Sequence, residues 1–205
     1  MRPGPSAKRL SRLTTPRVVV GVIALSLAAA CGGSAEGAAL ASAAGSDEGT
    51  PTTGARILTD ENILAVAGEG ARAEMQLARL AANRVRHARV KHFALSLVED
   101  HSRTDRAVKD LERKLNLTEE LPASDTTAQE LQHLVERFNS LTPSAFDTAF
   151  VNHVIENHAH DIGEMRSLAG RAKRPEVREL LQSSIPELRA HLSQAKALKQ
   201  ALRRR

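Results

Sequence analysis

Four stretches of the chain, at about residues 60–84, 88–115, 143–172 and 175–201, repeat their apolar residues at helical spacing, which leaves room for little but an all-helical fold. In the first, Ile63, Ala67, Gly70, Ala71, Leu77, Ala78 and Ala81 share a face. The second aligns Val90, Ala94, Leu97, Val108, Leu111 and Leu115. The third aligns Phe146, Phe150, Val154, Met165 and Leu168, and the fourth Val177, Leu181, Ile185, Leu188, Leu192, Ala195 and Leu198. Starts are marked as well: Thr59 or Asp60 is placed to cap the first stretch, and Thr142 followed by Pro143 to open the third. Pro186 falls inside the fourth and predicts a kink.

The second and third stretches are separated by roughly 27 residues, broken by Pro122 and carrying a short helical pattern from about Thr126 to Asn139. Such a connection is too long for a hairpin loop and fits the crossover of a four-helix bundle. The run His87-Ala88-Arg89-Val90-Lys91 opens the second stretch much as Arg174-Pro175-Glu176-Val177-Arg178 opens the fourth. The bundle therefore reads as two related helical hairpins.

The N-terminal segment explains the charge. The 205-residue chain carries 29 Lys and Arg against 24 Asp and Glu. Five of the basic residues, Arg2, Lys8, Arg9, Arg12 and Arg17, precede an apolar run from Val18 to Ala30, and no acid falls among them. That run is shorter than the roughly 20 residues of a spanning helix, and with its basic flank it predicts an export signal over residues 1–30. Without those residues, basic and acidic side chains balance, so the charge gives no case for nucleic acid. With no Trp, no Tyr and four Phe, the aromatic platforms that bind single strands are nearly excluded as well.

The next residue, Cys31, is the single cysteine of the chain. Leu27-Ala28-Ala29-Ala30-Cys31 resembles the lipobox of bacterial lipoproteins, which implies lipid attachment at Cys31 and a membrane-anchored protein facing the periplasm or cell exterior. The alternative is an ordinary signal cleavage with no lipid. Residues 31–57, rich in Gly, Ala, Ser and Thr, read as a flexible linker, and residues 58–205 as the folded domain.

Polar residues on the apolar faces single out the candidate site, because an ionisable group in a core needs a partner or a ligand. Each long stretch has one near the middle of its stripe: Glu74, His101, His158 and His191. Glu74 and His101 lie equally far from the turn near residue 87, and His158 and His191 equally far from the turn near residue 174, so the four are expected at one level. Three imidazoles and a carboxylate could form the ligand shell of one transition metal ion, Zn, Cu, Fe or Mn. Asp105 and Asp161 are expected to orient the imidazoles or to add oxygen ligands. The same residues could equally form a hydrogen-bonded polar cluster without metal. His87 falls in a turn, and His92, His153 and His160 fall at the edges or outside of their wheels. Glu130 and His133 read as part of a solvated face.

Several strings together resemble a bacterial family of domains of unknown function, number 4142. They are Val90-Lys91-His92-Phe93-Ala94, Glu99-Asp100-His101, Phe146-Asp147-x-x-Phe150, His158, and Ile185-Pro186-x-Leu188-x-x-His191-Leu192. The resemblance implies an exported protein with a ferritin-like helical fold, and the family's recurrent acid and histidines fall on Glu74, His101, His158 and His191. Phe150 stands where the family usually has Tyr. Ferritin-like di-iron enzymes carry two Glu-x-x-His pairs in their core, and this core has neither, which argues against oxygen-activating chemistry. No nucleophile elbow, phosphate loop or paired-carboxylate motif in a recognisable setting is present, so the sequence leans away from an enzyme. Two functions remain: a membrane-tethered envelope bundle that binds a transition metal, or an envelope structural or interaction module whose polar core only fixes packing. The protein partner of the second is not specified by the sequence.

Overall fold

The computed structural model describes residues 58–204, and all its regular structure is helical. There are four long helices, α1 (Asp60–Arg84), α2 (Ala88–Leu115), α4 (Pro143–Arg171) and α5 (Pro175–Arg203), with a short α3 (Thr127–Asn139) between α2 and α4 in the chain. The expected export signal over residues 1–30, lipid attachment at Cys31 and linker over 31–57 lie outside the described residues. Among the described residues no helix is long and apolar enough to cross a membrane.

The ends follow from local chemistry. Thr59 accepts from Asn62 N while the Asn62 side chain accepts from Thr59 N, a reciprocal capping box that starts α1. Thr142 and Pro143 open α4, and Asn116, at φ 52°, turns the chain out of α2 in the left-handed region that Asn tolerates. Pro186 lies inside α5, which is continuous through it.

α1 pairs with α2 and α4 with α5, each across a very short turn, giving two antiparallel hairpins. α1 is buried on nearly every side, from Ile63 through Gly68 without a break, because α3, α4 and α5 also lie against it. One apolar cluster joins Leu77, Ala81, Val90, Leu97, Phe146 and Phe150. A second, at the other end, joins Ile63, Leu64, Val108, Leu168, Val177 and Leu181. The candidate polar residues lie at the level between the two. Phe138 of α3 packs edge-on against Phe146, with ring centroids 5.4 Å apart, and the Arg84 guanidinium lies 4.8 Å from the Phe146 ring centre. Arg84 also donates to the Phe138 carbonyl, so the crossover is fastened to the end of α1.

The two hairpins are stapled reciprocally. Asp147, near the start of α4, accepts from the backbone N–H groups of Arg86 and His87 in the α1–α2 turn, at 3.0 and 2.8 Å. Asp60, at the start of α1, accepts from those of Lys173 and Arg174 in the α4–α5 turn, at 2.9 and 3.0 Å. Acids and turns alike are separated by 87 positions in the sequence, the offset of the repeat read at His87 and Arg174. Each carboxylate satisfies two N–H groups that their own hairpin leaves free. Asp147→Ala is expected to lower the unfolding free energy by about 2 kcal/mol, at about 1 kcal/mol per hydrogen bond lost. Urea denaturation checks this, and Asp147→Asn, which keeps one acceptor, should recover part of the loss.

Candidate metal centre

The middle level of the fold brings together one histidine from each of three helices: His101 of α2, His158 of α4 and His191 of α5. Their ring centroids form a nearly equilateral triangle, with 5.5 Å between His101 and His158, 5.4 Å between His101 and His191, and 5.3 Å between His158 and His191. Each offers a ring nitrogen within 4.8 Å of the other two. All three are sealed from solvent, with His158 fully buried.

The environment of each ring sets its protonation. Burial, and then the neighbouring His191, lower His101 to about 3. Burial, followed by His101, His191 and His153, holds His158 well below the usual imidazole range. At neutral pH both are therefore uncharged, the state in which imidazole presents a lone pair. His191 Nε2 lies 2.9 Å from Asp100 Oδ2. An ionised carboxylate can only accept, so His191 Nε2–H donates to Asp100, and His191 Nδ1 is the nitrogen that faces His158 Nε2 at 3.3 Å. Burial pushes Asp100 upward, but the His191 hydrogen bond and Arg103 outweigh it and hold the carboxyl below its usual value. Arg103, ion-paired with Asp100, completes the brace from outside.

Two nitrogens in this core lack a hydrogen-bond partner: His101 Nε2 and His158 Nδ1. A buried polar atom left without a partner costs about 1–3 kcal/mol, so two in one cluster call for an explanation. The 3.3 Å between His158 Nε2 and His191 Nδ1 is also the edge of a tetrahedron whose metal–nitrogen bonds measure about 2.0–2.1 Å.

Glu74 of α1 is buried at the same level, but it does not share the nitrogen triangle. It groups instead with His158 and Asp161. Asn157 of α4 donates from its Nδ2 both to Glu74 Oε1 and to Asp161 Oδ2, the latter at 2.8 Å, holding the two carboxyls side by side. Burial, then Asp161, raises Glu74 to about 8, and burial raises Asp161 as well. A cavity of about 80 Å³, large enough for several waters, runs past Glu74, His101, Asn157 and Asp161 to Glu164.

Other expectations need correction. Asp105 does not orient an imidazole: Arg72 at 3.1 Å and Lys109 at 2.7 Å occupy its carboxylate. Arg72 also reaches Glu69 and Glu119, so Asp105 belongs to an ionic fastener between α1, α2 and the crossover. Asp161, by contrast, does lie beside an imidazole, 3.9 Å from His158 Nδ1, and is held to Glu74 through Asn157. His153, assigned to the edge of its wheel, is buried because Phe138 of α3 covers it edge-on at 6.0 Å. His87, in its turn, is buried too and accepts from Arg89 N. His133 is exposed, as a solvated face requires. Two members of the site escaped the sequence reading, Asp100 and Asn157. Each adjoins a predicted histidine in the chain and acts across to another helix.

The sequence pattern of a family described as a domain of unknown function, DUF4142, matches residues 42–198. No curated protein matches the chain. Among solved structures, the crystal structure of a DUF305 fragment from Deinococcus radiodurans is similar at a TM-score of 0.60 and 15% sequence identity. The likeness covers 71% of this chain and 96% of that one, and is a likeness of fold.

Proposed function

From the premise that the chain belongs to the DUF4142 family, we propose that it is an exported envelope protein whose helical domain holds a transition metal ion through His101, His158 and His191. The observation that carries this reading is the buried triangle of imidazoles, two of them held neutral, with His101 Nε2 left without a partner. Neutral imidazoles need lose no proton before binding, which removes one cost of metal capture. The Asp100–His191 contact supports it, being the carboxylate brace that metal-bound histidines commonly have. An all-nitrogen triad suits Zn(II) or copper better than Mn(II), which prefers oxygen.

The finer architecture belongs to the same proposal. We read the two hairpins and the α3 crossover as a ferritin-like four-helix bundle, tethered to a membrane through a lipid on Cys31 with residues 31–57 as spacer. The role suited to a closed site of this kind is storage, sensing or sequestration of the ion rather than turnover. The second reading, an envelope structural module, draws on the chain Asp100–His191–His158, which is hydrogen-bonded without any metal.

Metal analysis of the purified, untagged protein separates the two. The metal reading expects about one Zn or Cu per chain, lost together in the variant His101→Ala/His158→Ala/His191→Ala. Protein that neither copurifies with metal nor binds it at micromolar concentrations, and whose melting ignores chelator, would sink the reading in favour of the structural module.

A further inference from the structure

The carboxyl side of the cavity carries a second arrangement of donors. Glu74 and Asp161 are separated by the same 87 positions that relate Asp60 to Asp147, so they are equivalent residues of the two hairpins, meeting across the interface between them. Asn157 bridges them, and its own Oδ1 is buried without a partner. The fully buried His158 points Nδ1 toward this pair, 3.9 Å from Asp161 Oδ2, and that nitrogen has no hydrogen-bond partner. His158 thus turns Nε2 to the triangle and Nδ1 to the carboxyls.

The donors continue outward. His160, Asp161 and Glu164 form a further group at the half-buried surface of α4, with ligand atoms within 4.8 Å of one another. Neighbouring groups share a residue: Asp161 links the surface group to the carboxyl pair, and His158 links the carboxyl pair to the three histidines. Glu74, Asp161 and Glu164 all line the one cavity, which also touches His101.

We propose that Glu74, Asp161 and Nδ1 of His158 form a second cation subsite, the station a divalent ion occupies on its way from the surface to the three-histidine site. The inference rests on the proposed metal function. His158 turns one ring nitrogen to each subsite, so a single side chain links the outer station to the inner one.

Two measurements with Co(II), whose visible spectrum reports its ligands, test the proposal on the full chain. In the variant His101→Ala/His191→Ala, one Co(II) should still bind, more weakly and with an oxygen-rich spectrum, and adding Glu74→Gln/Asp161→Asn should abolish it. In the otherwise intact chain, Glu74→Gln/Asp161→Asn keeps the size and shape of both side chains. It should slow Co(II) loading by at least about tenfold, equivalent to about 1.4 kcal/mol lost at the station, while leaving the final affinity within a few-fold. Loading at the wild-type rate overturns the subsite while leaving the three-histidine site standing, and loss of the final affinity overturns it by placing the carboxyls in the final site itself. Absence of Co(II) binding by the wild-type chain overturns the metal function itself.

Discussion

Zn(II) at a thousandfold excess over its dissociation constant should stabilise the folded chain by about 4 kcal/mol, because an ion that binds only the folded state contributes RT ln(1 + [L]/Kd). The three ligands come from α2, α4 and α5, so an unfolded chain cannot present them together and nearly the whole binding energy appears as folding energy. Differential scanning calorimetry with and without metal reads the effect. For a domain of this size it corresponds to a rise in Tm of roughly 10 °C, taking about 2–4 °C per kcal/mol. The variant His101→Ala/His158→Ala/His191→Ala should show no rise at any metal concentration. Without metal it also isolates the packing role of the rings: removing the buried His158 leaves a cavity, yet it also removes an unpartnered nitrogen, so these two effects oppose one another. A wild-type Tm indifferent to metal, together with a strongly destabilised triple variant, would assign the cluster to packing. Asp100→Asn supplies a finer test. It leaves all three rings in place but weakens the brace on His191, and should reduce metal affinity by about 10–100-fold.

The helices were readable from the sequence because their ends are chemically marked. Thr59, Pro143 and Pro175 start helices where capping and fixed φ require, and the apolar period runs unbroken between them. The convergence of the three histidines was readable for a geometric reason: helices of similar length joined by short turns place equal distances from the turn at equal heights. Partner choice was not readable. Asp105 shares a stripe with His101, but Arg72, one helix away, reaches it first, and nothing in the periodicity of α2 reports where an α1 side chain ends. Glu74 lay on the correct face, yet Asn157 draws it toward Asp161 and away from the triangle. Asp100 and Asn157 are invisible to a wheel that seeks the centre of an apolar face, because they project sideways to bridge neighbouring helices. His153 exposes the other weakness of such wheels, which assume one covered face per helix, whereas the crossover α3 covers a second face of α4.

His153 also supplies the second large effect, a loss of stability in acid. Burial first, and then the Arg137 charge, depress its folded-state value to about 4, while an unfolded histidine titrates near 6.5. Above 6.5 the ring is neutral in both states and contributes no pH dependence. As pH falls from 6.5 toward 4, the unfolded chain takes up the proton and the folded one does not, so protonation favours unfolding. By pH 4 most of a loss of about 3 kcal/mol should have accumulated, and below 4 the slope from this residue ends. His101, depressed to about 3, acts in the same direction, so the whole protein should lose more than this. His153→Leu isolates the single contribution, because Leu fills the space beside Phe138 without binding a proton. Urea denaturation of metal-free protein at pH 7.5 and at pH 4.5 should show the variant losing about 2–3 kcal/mol less than the wild type between the two. Equal losses would mean that the ring is protonated in the folded state, with solvent or an acid reaching it beneath α3.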